Sequence, residues 1–285
     1  MTSLAEALGY APDAKLLIVT CDDLGVSHSV NSAVYGALRT GTATSAGLVV
    51  PGPWAREAAA SYRGEDVGVH MTLNAEYDLY RWGPVTHAPS LLDGDGGFPR
   101  TLVDLWEHAD MDEVRRECRA QLERAVYWGF DVSHLSAHMG ALELRPEFFD
   151  VALELAVEFH LPLRLAGAGH QRQVGFPFRQ LAAEEGVVSP DRLVRSPRGQ
   201  SVRTAMDQML GDLAPGVTEL VLRPARDSEE LRAVMPDWPS RVEDHDIATA
   251  RQGLQALAER AGLVLTSYRA LCRLQRRLPA PRLPE

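Results

Sequence analysis

The chain has 285 residues, of which 45% are hydrophobic and 24% charged, and this is the composition of a globular protein with ample material for a core. It excludes the disordered, fibrous and mini-protein classes. The 29 basic residues against 39 acidic ones give a net charge of −10, which argues against a nucleic-acid partner because a phosphate backbone would be repelled.

Cysteine usage and the N-terminal sequence both indicate the cytoplasm. The three cysteines, Cys21, Cys118 and Cys272, are odd in number and scattered, so they predict neither a disulfide framework nor a CxxC pair. The N-terminus lacks a basic region followed by a long apolar stretch, and the aliphatic runs elsewhere are only as long as strands. We therefore expect a cytoplasmic protein that is not secreted and does not span a membrane.

Short aliphatic runs alternate with longer segments of helical periodicity, which is typical of parallel strands joined by helices. The predicted strands lie at 16–19, 45–50, 66–73, 134–139, 163–166, 218–222 and 263–267. The predicted helices lie at 31–39, 54–61, 112–127, 146–159, 201–212, 228–234 and 246–261. About seven βα units with no repeat and no linker predict one α/β barrel-like domain over residues 1–285.

Two stretches depart from this alternation. Residues 74–108, called the excursion below, contain Pro84, Pro89, Pro99 and several glycines and predict a long irregular segment. A segment this long inside a compact domain is usually functional, so we expect a role such as that of a lid. From 167 to 199 the pattern is weak and predicts no clear element.

Polar residues occur where three of the predicted strands end. Asp22 and Asp23 follow the first strand, His70 lies in the third, and His138 stands at the end of the fourth. Because ligand sites of parallel α/β folds lie at the carboxyl ends of the strands, we expect these side chains to converge.

These residue types favour a metal-assisted reaction. Two adjacent carboxylates in one cavity repel each other unless a cation lies between them. One Asp as metal ligand and the other as proton acceptor would supply the two parts that activate water. His70 and His138 would complete an Asp-His-His set with an open position. His134 shares a face with His138, so one of the two would ligate while the other is structural.

Each of these residues also has an ordinary structural explanation. Asp-Asp-Leu-Gly at 22–25 would form a turn equally well, since Asp and Gly favour such positions. A histidine in an apolar run such as Val69-His70-Met71 is commonly a core residue bonded to the backbone. The coincidence at three strand ends is what favours a metal site.

Several segments, in order along nearly the whole chain, are similar to one family. They are LIVTCDDLG at 17–25 followed by Asn31, GTATS at 41–45, VGVHMTL at 67–73, SHLSAH at 133–138 and GLVLTSYR at 262–269. With these motifs the chain resembles the YdjC-like, or ChbG-type, carbohydrate deacetylases, which are distant relatives of the polysaccharide deacetylases.

The resemblance implies a fold, a cofactor and site residues. The fold would be a distorted TIM-like barrel, often found as a homodimer. Asp23, His70 and His138 would hold one divalent metal ion, and Asp22 would be the catalytic base. The family implies magnesium or zinc, and the two imidazoles favour zinc or another transition metal because magnesium prefers oxygen ligands.

The chain departs from the family's pattern in two places. The fourth-strand motif, commonly HLDSHxHxH, is HLSAHMGA at 134–141, which keeps the implied ligand and loses an acidic residue and the later histidines. A His-Pro pair near the sixth strand, whose histidine can be the general acid, is replaced by Arg223-Pro224. Arg223 keeps its proton at neutral pH, so it would stabilise an oxyanion or bind an anionic substrate, or be a surface cation.

We therefore expect hydrolysis of an N-acetyl group on a small amino sugar such as a chitooligosaccharide, with Asp22 accepting the proton of the attacking water. Trp82, with Tyr80 and Trp106, would stack on sugar faces or simply pack the excursion.

Two other classes stay open. A catalytically silent carbohydrate-binding protein of the same fold is suggested by Arg223 and by the altered fourth-strand motif. A non-haem iron oxygenase also uses two histidines and one carboxylate, although its ligands usually come from a β-sandwich.

Overall fold

Seven parallel strands form the centre of the computed structural model, which describes residues 2–197, 202–250 and 253–277. Within these ranges the strands are β1 (Lys15–Leu24), β2 (Ser45–Leu48), β3 (Val67–Met71), β4 (Val132–Ala137), β5 (Arg192–Arg195), β6 (Gly216–Leu222) and β7 (Val264–Thr266). Four of them, β2, β3, β4 and β6, are buried along their whole length, and β1 is buried from Leu16 onwards, as expected for aliphatic strands covered on both faces.

The strands are hydrogen-bonded in the order β4-β3-β2-β1-β6-β5, and β7 pairs with β1. Beyond β4, the barrel wall that this sheet forms continues through residues 162–165. Leu135 N donates to Pro162 O at 2.9 Å, and Leu163 N donates to Val188 O at 3.1 Å, shortly before β5. The wall therefore curves from β4 back towards β5, and the predicted α/β fold, a distorted TIM-like barrel, is confirmed.

Helices connect the strands, and their ends follow familiar signals, such as the Ser27 side chain that accepts from Val30 N at the start of α2. In the described residues they are α1 (Leu4–Ala7), α2 (His28–Arg39), α3 (Ala55–Ser61), α4 (Leu102–His108), α5 (Met111–Tyr127), α6 (Pro146–Glu158), α7 (Ala168–Val174), α8 (Phe178–Glu184), α9 (Val202–Gly211), α10 (Glu229–Val234), α11 (Trp238–Thr249), α12 (Leu254–Arg260) and α13 (Tyr268–Gln275). None of them is both long and apolar enough to cross a membrane.

Two predicted elements are wrong in detail. The strand predicted at 163–166 makes a single bridge, between Leu163 and Leu135, and the fifth regular strand is β5. β5 is only partly buried, so it has no long aliphatic run to reveal it. The helix predicted at 246–261 is two helices, α11 and α12. Gly253 lies so close to the end of α11 that a Cβ would stand 2.1 Å from Ile247 O.

The excursion is more ordered than the sequence predicts. It contains α4 and a 3-10 turn at Pro89–Leu91. Two carboxylates of α5 hold it: Glu117 accepts from Val85 N at 3.0 Å and Thr86 N at 2.9 Å, and Glu113 accepts from Ser90 N at 2.8 Å. That residues 1–285 form one domain stays a prediction.

Glu143, after the short turn that follows β4, is a buried carboxyl whose Oε2 accepts from Ala166 N at 3.1 Å. Burial raises the pKa of Glu143 to about 7, and this hydrogen bond and the nearby arginines only partly oppose it. Below pH 4.5 the carboxyl is protonated in both folded and unfolded chains. As the pH rises from 4.5 to 7, the unfolded chain loses this proton before the folded chain does, so the free energy of unfolding falls. Above pH 7 both states are ionised, and the loss of stability is complete.

Glu143→Gln is therefore expected to make the fold more stable than wild type by roughly 3 kcal/mol at pH 8, and to change it little at pH 4.5. Urea unfolding of both proteins at the two pH values measures this. Glu147→Gln on α6, where the side chain is exposed, is the matched control. If Glu143→Gln and wild type differed in free energy of unfolding by the same amount at both pH values, the raised pKa of Glu143 would be contradicted.

Candidate metal centre

The two carboxylates at the end of β1 both line one cavity, although neighbouring strand residues normally point to opposite faces. The reason is the backbone of Asp23, whose φ of 70° lies in the left-handed region that non-glycine residues rarely adopt. Gly25 N donates to Asn31 Oδ1 at 2.6 Å, and Asn31 Nδ2 donates to Trp54 O at 3.1 Å, which holds this bend. A strained residue held by its surroundings is typical of functional sites.

The cavity lies at the carboxyl ends of the strands and has a volume of about 300 Å³. His70 at the end of β3 and His138 directly after β4 line it together with the two aspartates. Its charged residues are Asp22, Asp23, Glu76, Arg164, Arg195 and Arg223. A larger, more open hollow beside α5 and α6 contains none of these residues, so its size does not make it the site.

The structure brings Asp23, His70 and His138 together, with one potential ligand atom of each within 4.8 Å of the others. Asp23 Oδ1 lies 3.7 Å from His138 Nδ1. Two atoms about 2.1 Å from one tetrahedral ion lie about 3.4 Å apart. Asp23 Oδ1 is buried and has no hydrogen-bond partner among the described residues, which is costly unless a cation satisfies it. The three residues therefore fit a divalent metal ion, and their role as ligands stays a prediction.

His70 is held by the fourth strand. Its Nδ1 lies 2.7 Å from Ser136 Oγ, and its Nε2 faces the cavity, 3.8 Å from Asp22 Oδ2. Ser136, where this chain departs from the motif that it resembles, supplies a hydrogen-bond partner for His70. Burial lowers the pKa of His70 to about 4, and the ring is therefore neutral at pH 7, which is the form that binds metals.

Asp22 accepts two hydrogen bonds from a buried arginine. Arg164 Nη1 donates to Asp22 Oδ2 at 2.7 Å, and Nη2 donates to Oδ1 at 2.9 Å. Burial disfavours the charged form, but the charge and hydrogen bonds of Arg164 outweigh it and lower the pKa of Asp22. Asp22 is thus ionised at neutral pH and able to accept a proton. Arg164 Nε also donates to Glu219 Oε1 at 2.9 Å, and Tyr268 Oη donates to Glu219 Oε2 at 2.5 Å.

A second buried arginine holds the other carboxylate. Arg241, only 1% exposed, lies with Nη2 2.9 Å from Asp23 Oδ2. The same nitrogen donates to Tyr77 Oη at 2.7 Å, and Nε donates to Asp237 Oδ2 at 3.0 Å. Burial opposes ionisation of Asp23, but Arg241 and His138 outweigh it and lower its pKa. One oxygen of Asp23 is therefore committed to Arg241 and the other is directed towards His138.

The remaining candidate residues occupy different places. Arg223 lines the cavity; its side chain is 37% exposed, and its Nη2 lies 3.6 Å from Asp237 Oδ2. Trp82 is only 5% exposed, donates to Asn74 O at 2.8 Å and is not part of the cavity lining, so its contact with a sugar stays a prediction. His134 is fully buried and stacks on Tyr268 at 3.7 Å, so His138 alone of the two faces the cavity.

Sequence reasoning missed Glu76, Arg164 and Arg241. The sequence does mark Arg164 and its partner Glu219 as unusual, because each is the only charged residue in an otherwise aliphatic run. Glu76 follows the third strand and belongs to the same class as the residues that were selected. Arg241 lies among other charges of α11, and nothing in the sequence distinguishes it.

Comparisons with known proteins identify the family and the fold. The model of the YdjC-like protein family matches residues 16–259. A carbohydrate deacetylase of Thermus thermophilus is 37% identical over 264 residues, which cover 90% of this chain and 94% of the relative. A carbohydrate deacetylase of Thermoanaerobacter pseudethanolicus is 26% identical over 261 residues, covering 90% and 99%. A solved structure from Enterococcus faecalis V583, described as a cellobiose-phosphate cleavage protein, shares the fold with a TM-score of 0.79, 24% identity and coverage of 90% and 99%.

Proposed function

The chain belongs to the YdjC-like family, and we propose that it is a metal-dependent carbohydrate deacetylase that removes an N-acetyl group from a small amino sugar or oligosaccharide. The observation that carries the proposal is that one cavity holds both an ionised Asp22, bound by Arg164, and the cluster of Asp23, His70 and His138. The resemblance to deacetylases supplies the substrate class, and a homodimer in the cytoplasm stays a prediction.

Asp23, His70 and His138 would hold the metal ion. When bound there, zinc or magnesium would supply Lewis-acid chemistry towards the acetyl carbonyl. Asp22 accepts the proton of the attacking water, and its two-point contact with Arg164 fixes the direction of its carboxylate.

Two further steps of the reaction are stabilisation of the charge on the acetyl oxygen and protonation of the departing amine. Arg223 lines the cavity and, through its permanent charge, would stabilise negative charge that develops on the acetyl oxygen or bind an anionic part of the substrate. Asp22, once protonated, returns the proton to the departing amine, because no histidine stands at position 223 to do so.

Two other functions are less well supported. A silent binding protein would have no need for a buried arginine that keeps Asp22 ionised in the cavity. The ligands of an iron oxygenase usually come from a β-sandwich, whereas these three residues lie at the carboxyl ends of separate strands of one parallel sheet.

His138→Ala is expected to lose both bound metal and acetate release, because it removes one of three ligands. Elemental analysis and an acetate assay with N-acetylated chitooligosaccharides, on the same samples, measure the two effects. Wild type is expected to carry about one equivalent of metal. His108→Ala is the matched control, since that histidine is 65% exposed and lies in α4. Retention of metal and activity in His138→Ala would contradict the proposal.

A further inference from the structure

The start of the excursion reaches into the metal centre at two points. Glu76 and Tyr77 are consecutive residues; Glu76 contacts the candidate ligand His138 directly, and Tyr77 contacts Arg241, which in turn contacts Asp23. Asn74 fixes their backbone, because its Nδ2 donates to Pro99 O and to Thr101 O, each at 3.0 Å. Neither Glu76 nor Tyr77 belongs to the set of candidate ligands or catalytic groups.

Glu76 determines which nitrogen of His138 faces the cluster. Its Oε2 lies 2.9 Å from His138 Nε2, and the Glu76 side chain is 22% exposed. A glutamate side chain is ordinarily ionised at neutral pH, so this carboxylate can only accept a hydrogen bond. Nε2 must then donate, and in the neutral ring Nδ1 carries the lone pair. Nδ1 is the atom that lies 3.7 Å from Asp23 Oδ1.

Tyr77 acts on the other side of the same cluster. Its hydroxyl accepts from Arg241 Nη2 at 2.7 Å and donates to Asp237 Oδ1 at 3.1 Å. That arginine nitrogen also contacts Asp23 Oδ2, at 2.9 Å. With Oδ2 committed to Arg241, Oδ1 is left for the cluster. Tyr77 is thus one contact further from the cluster than Glu76 is.

We propose that Glu76 and Tyr77 are positioning residues of the metal centre, Glu76 for His138 and Tyr77, through Arg241, for Asp23. The inference rests on the proposed function only in requiring a metal ion at Asp23, His70 and His138. Outer groups of this kind fix the tautomer and orientation of the ligands and contribute about 10–100-fold to metal affinity. The excursion is then a structural part of the metal centre, whatever its contacts with substrate.

Zinc affinity of the full chain, measured by competition with a chromophoric chelator, tests the proposal. Glu76→Ala is expected to weaken zinc binding by about 10–100-fold. Glu76→Gln is expected to restore most of the affinity, because its amide oxygen still accepts from Nε2. Tyr77→Phe is expected to have a smaller effect. Glu113→Gln is the matched control, since Glu113 also holds the excursion but through Ser90, and it should leave zinc affinity unchanged.

The tautomer of His138 is a second measurement, and it would not change if Glu76 only stabilised the fold. In metal-free, ¹⁵N-labelled protein at a pH where the His138 ring is neutral, NMR is expected to show the proton on Nε2 of His138 in wild type and in Glu76→Gln, and a mixture of tautomers in Glu76→Ala. The His138→Ala spectrum assigns the signals. Circular dichroism shows whether each variant is folded.

Three results would overturn the inference. The first is zinc affinity of Glu76→Ala within about twofold of wild type. The second is a neutral His138 ring that carries its proton on Nδ1 rather than Nε2 in the metal-free wild type. The third is loss of one oxygen ligand from zinc in Glu76→Ala by X-ray absorption, since Glu76 would then be a ligand itself. Failure of wild type to bind zinc or another divalent metal would refute the proposed function as well, whereas the other results leave it intact.

Discussion

Asp22→Asn is expected to lower the rate of acetate release by a factor of about 10²–10⁴, the usual contribution of a general base, while the metal content stays that of wild type. An amide at this position has no proton-accepting oxygen of comparable basicity. The metal would be retained because Asp22 Oδ1 and Oδ2 are both engaged by Arg164 rather than by the Asp23, His70 and His138 cluster.

The neighbouring carboxylate supplies the matched comparison. Asp23→Asn is expected to lose metal and activity together, because Oδ1 of Asp23 is the oxygen that lies beside His138. Rates and metal content of both variants therefore separate the base from the ligand. Full activity in Asp22→Asn would refute its role as base, and loss of metal in that variant would make Asp22 a ligand.

One further measurement keeps the Asp22→Asn result interpretable. The asparagine NH₂ group would face an N–H donor of Arg164, which leaves a buried donor without an acceptor and costs about 1–3 kcal/mol. Urea unfolding of the variant shows whether the protein is folded under the assay conditions. Loss of turnover in a fully folded, metal-loaded variant is the expected result.

The fold and the cluster could be predicted because both follow from local rules. Aliphatic runs alternating with helical segments predict the parallel sheet, and polar residues at strand ends predict where side chains meet. These rules predict that Asp22, Asp23, His70 and His138 converge, and all four line one cavity, whereas the choice of Asp23 as the ligand comes from the family resemblance. They do not reveal β5, whose partly buried residues form no aliphatic run.

The residues that sequence reasoning missed have partners that no local rule gives, even where, as for Arg164, the sequence around the residue is unusual. Arg164 meets Asp22 across 142 positions of the chain, and Tyr77 meets Arg241 across 164. The left-handed backbone of Asp23 is likewise set by its surroundings, although it decides that both aspartates enter the cavity. Local pattern thus identifies candidate ligands, while tertiary structure selects the groups that hold them.

Arg164→Met is expected to destabilise the fold by about 3–5 kcal/mol, because it leaves two buried carboxylates without their partner. Arg164 is 3% exposed, Glu219 is fully buried, and Asp22 is 5% exposed. Repulsion between Asp22 and Glu219 would add to the cost of burying each charge. Urea unfolding of metal-free protein measures the change without a contribution from bound metal.

Arg115→Met is the matched control, because Arg115 forms an exposed pair with Glu154 and such pairs contribute about 0–1 kcal/mol. Adding Glu219→Gln to Arg164→Met should recover part of the lost stability, since it removes one of the two unpaired charges and Tyr268 can still donate to the amide oxygen. If the double variant were no more stable than Arg164→Met alone, the cost would come from lost packing of the arginine. A recovery of about 1 kcal/mol or more would instead show that Arg164 is retained to keep two buried carboxylates charged beside the metal centre.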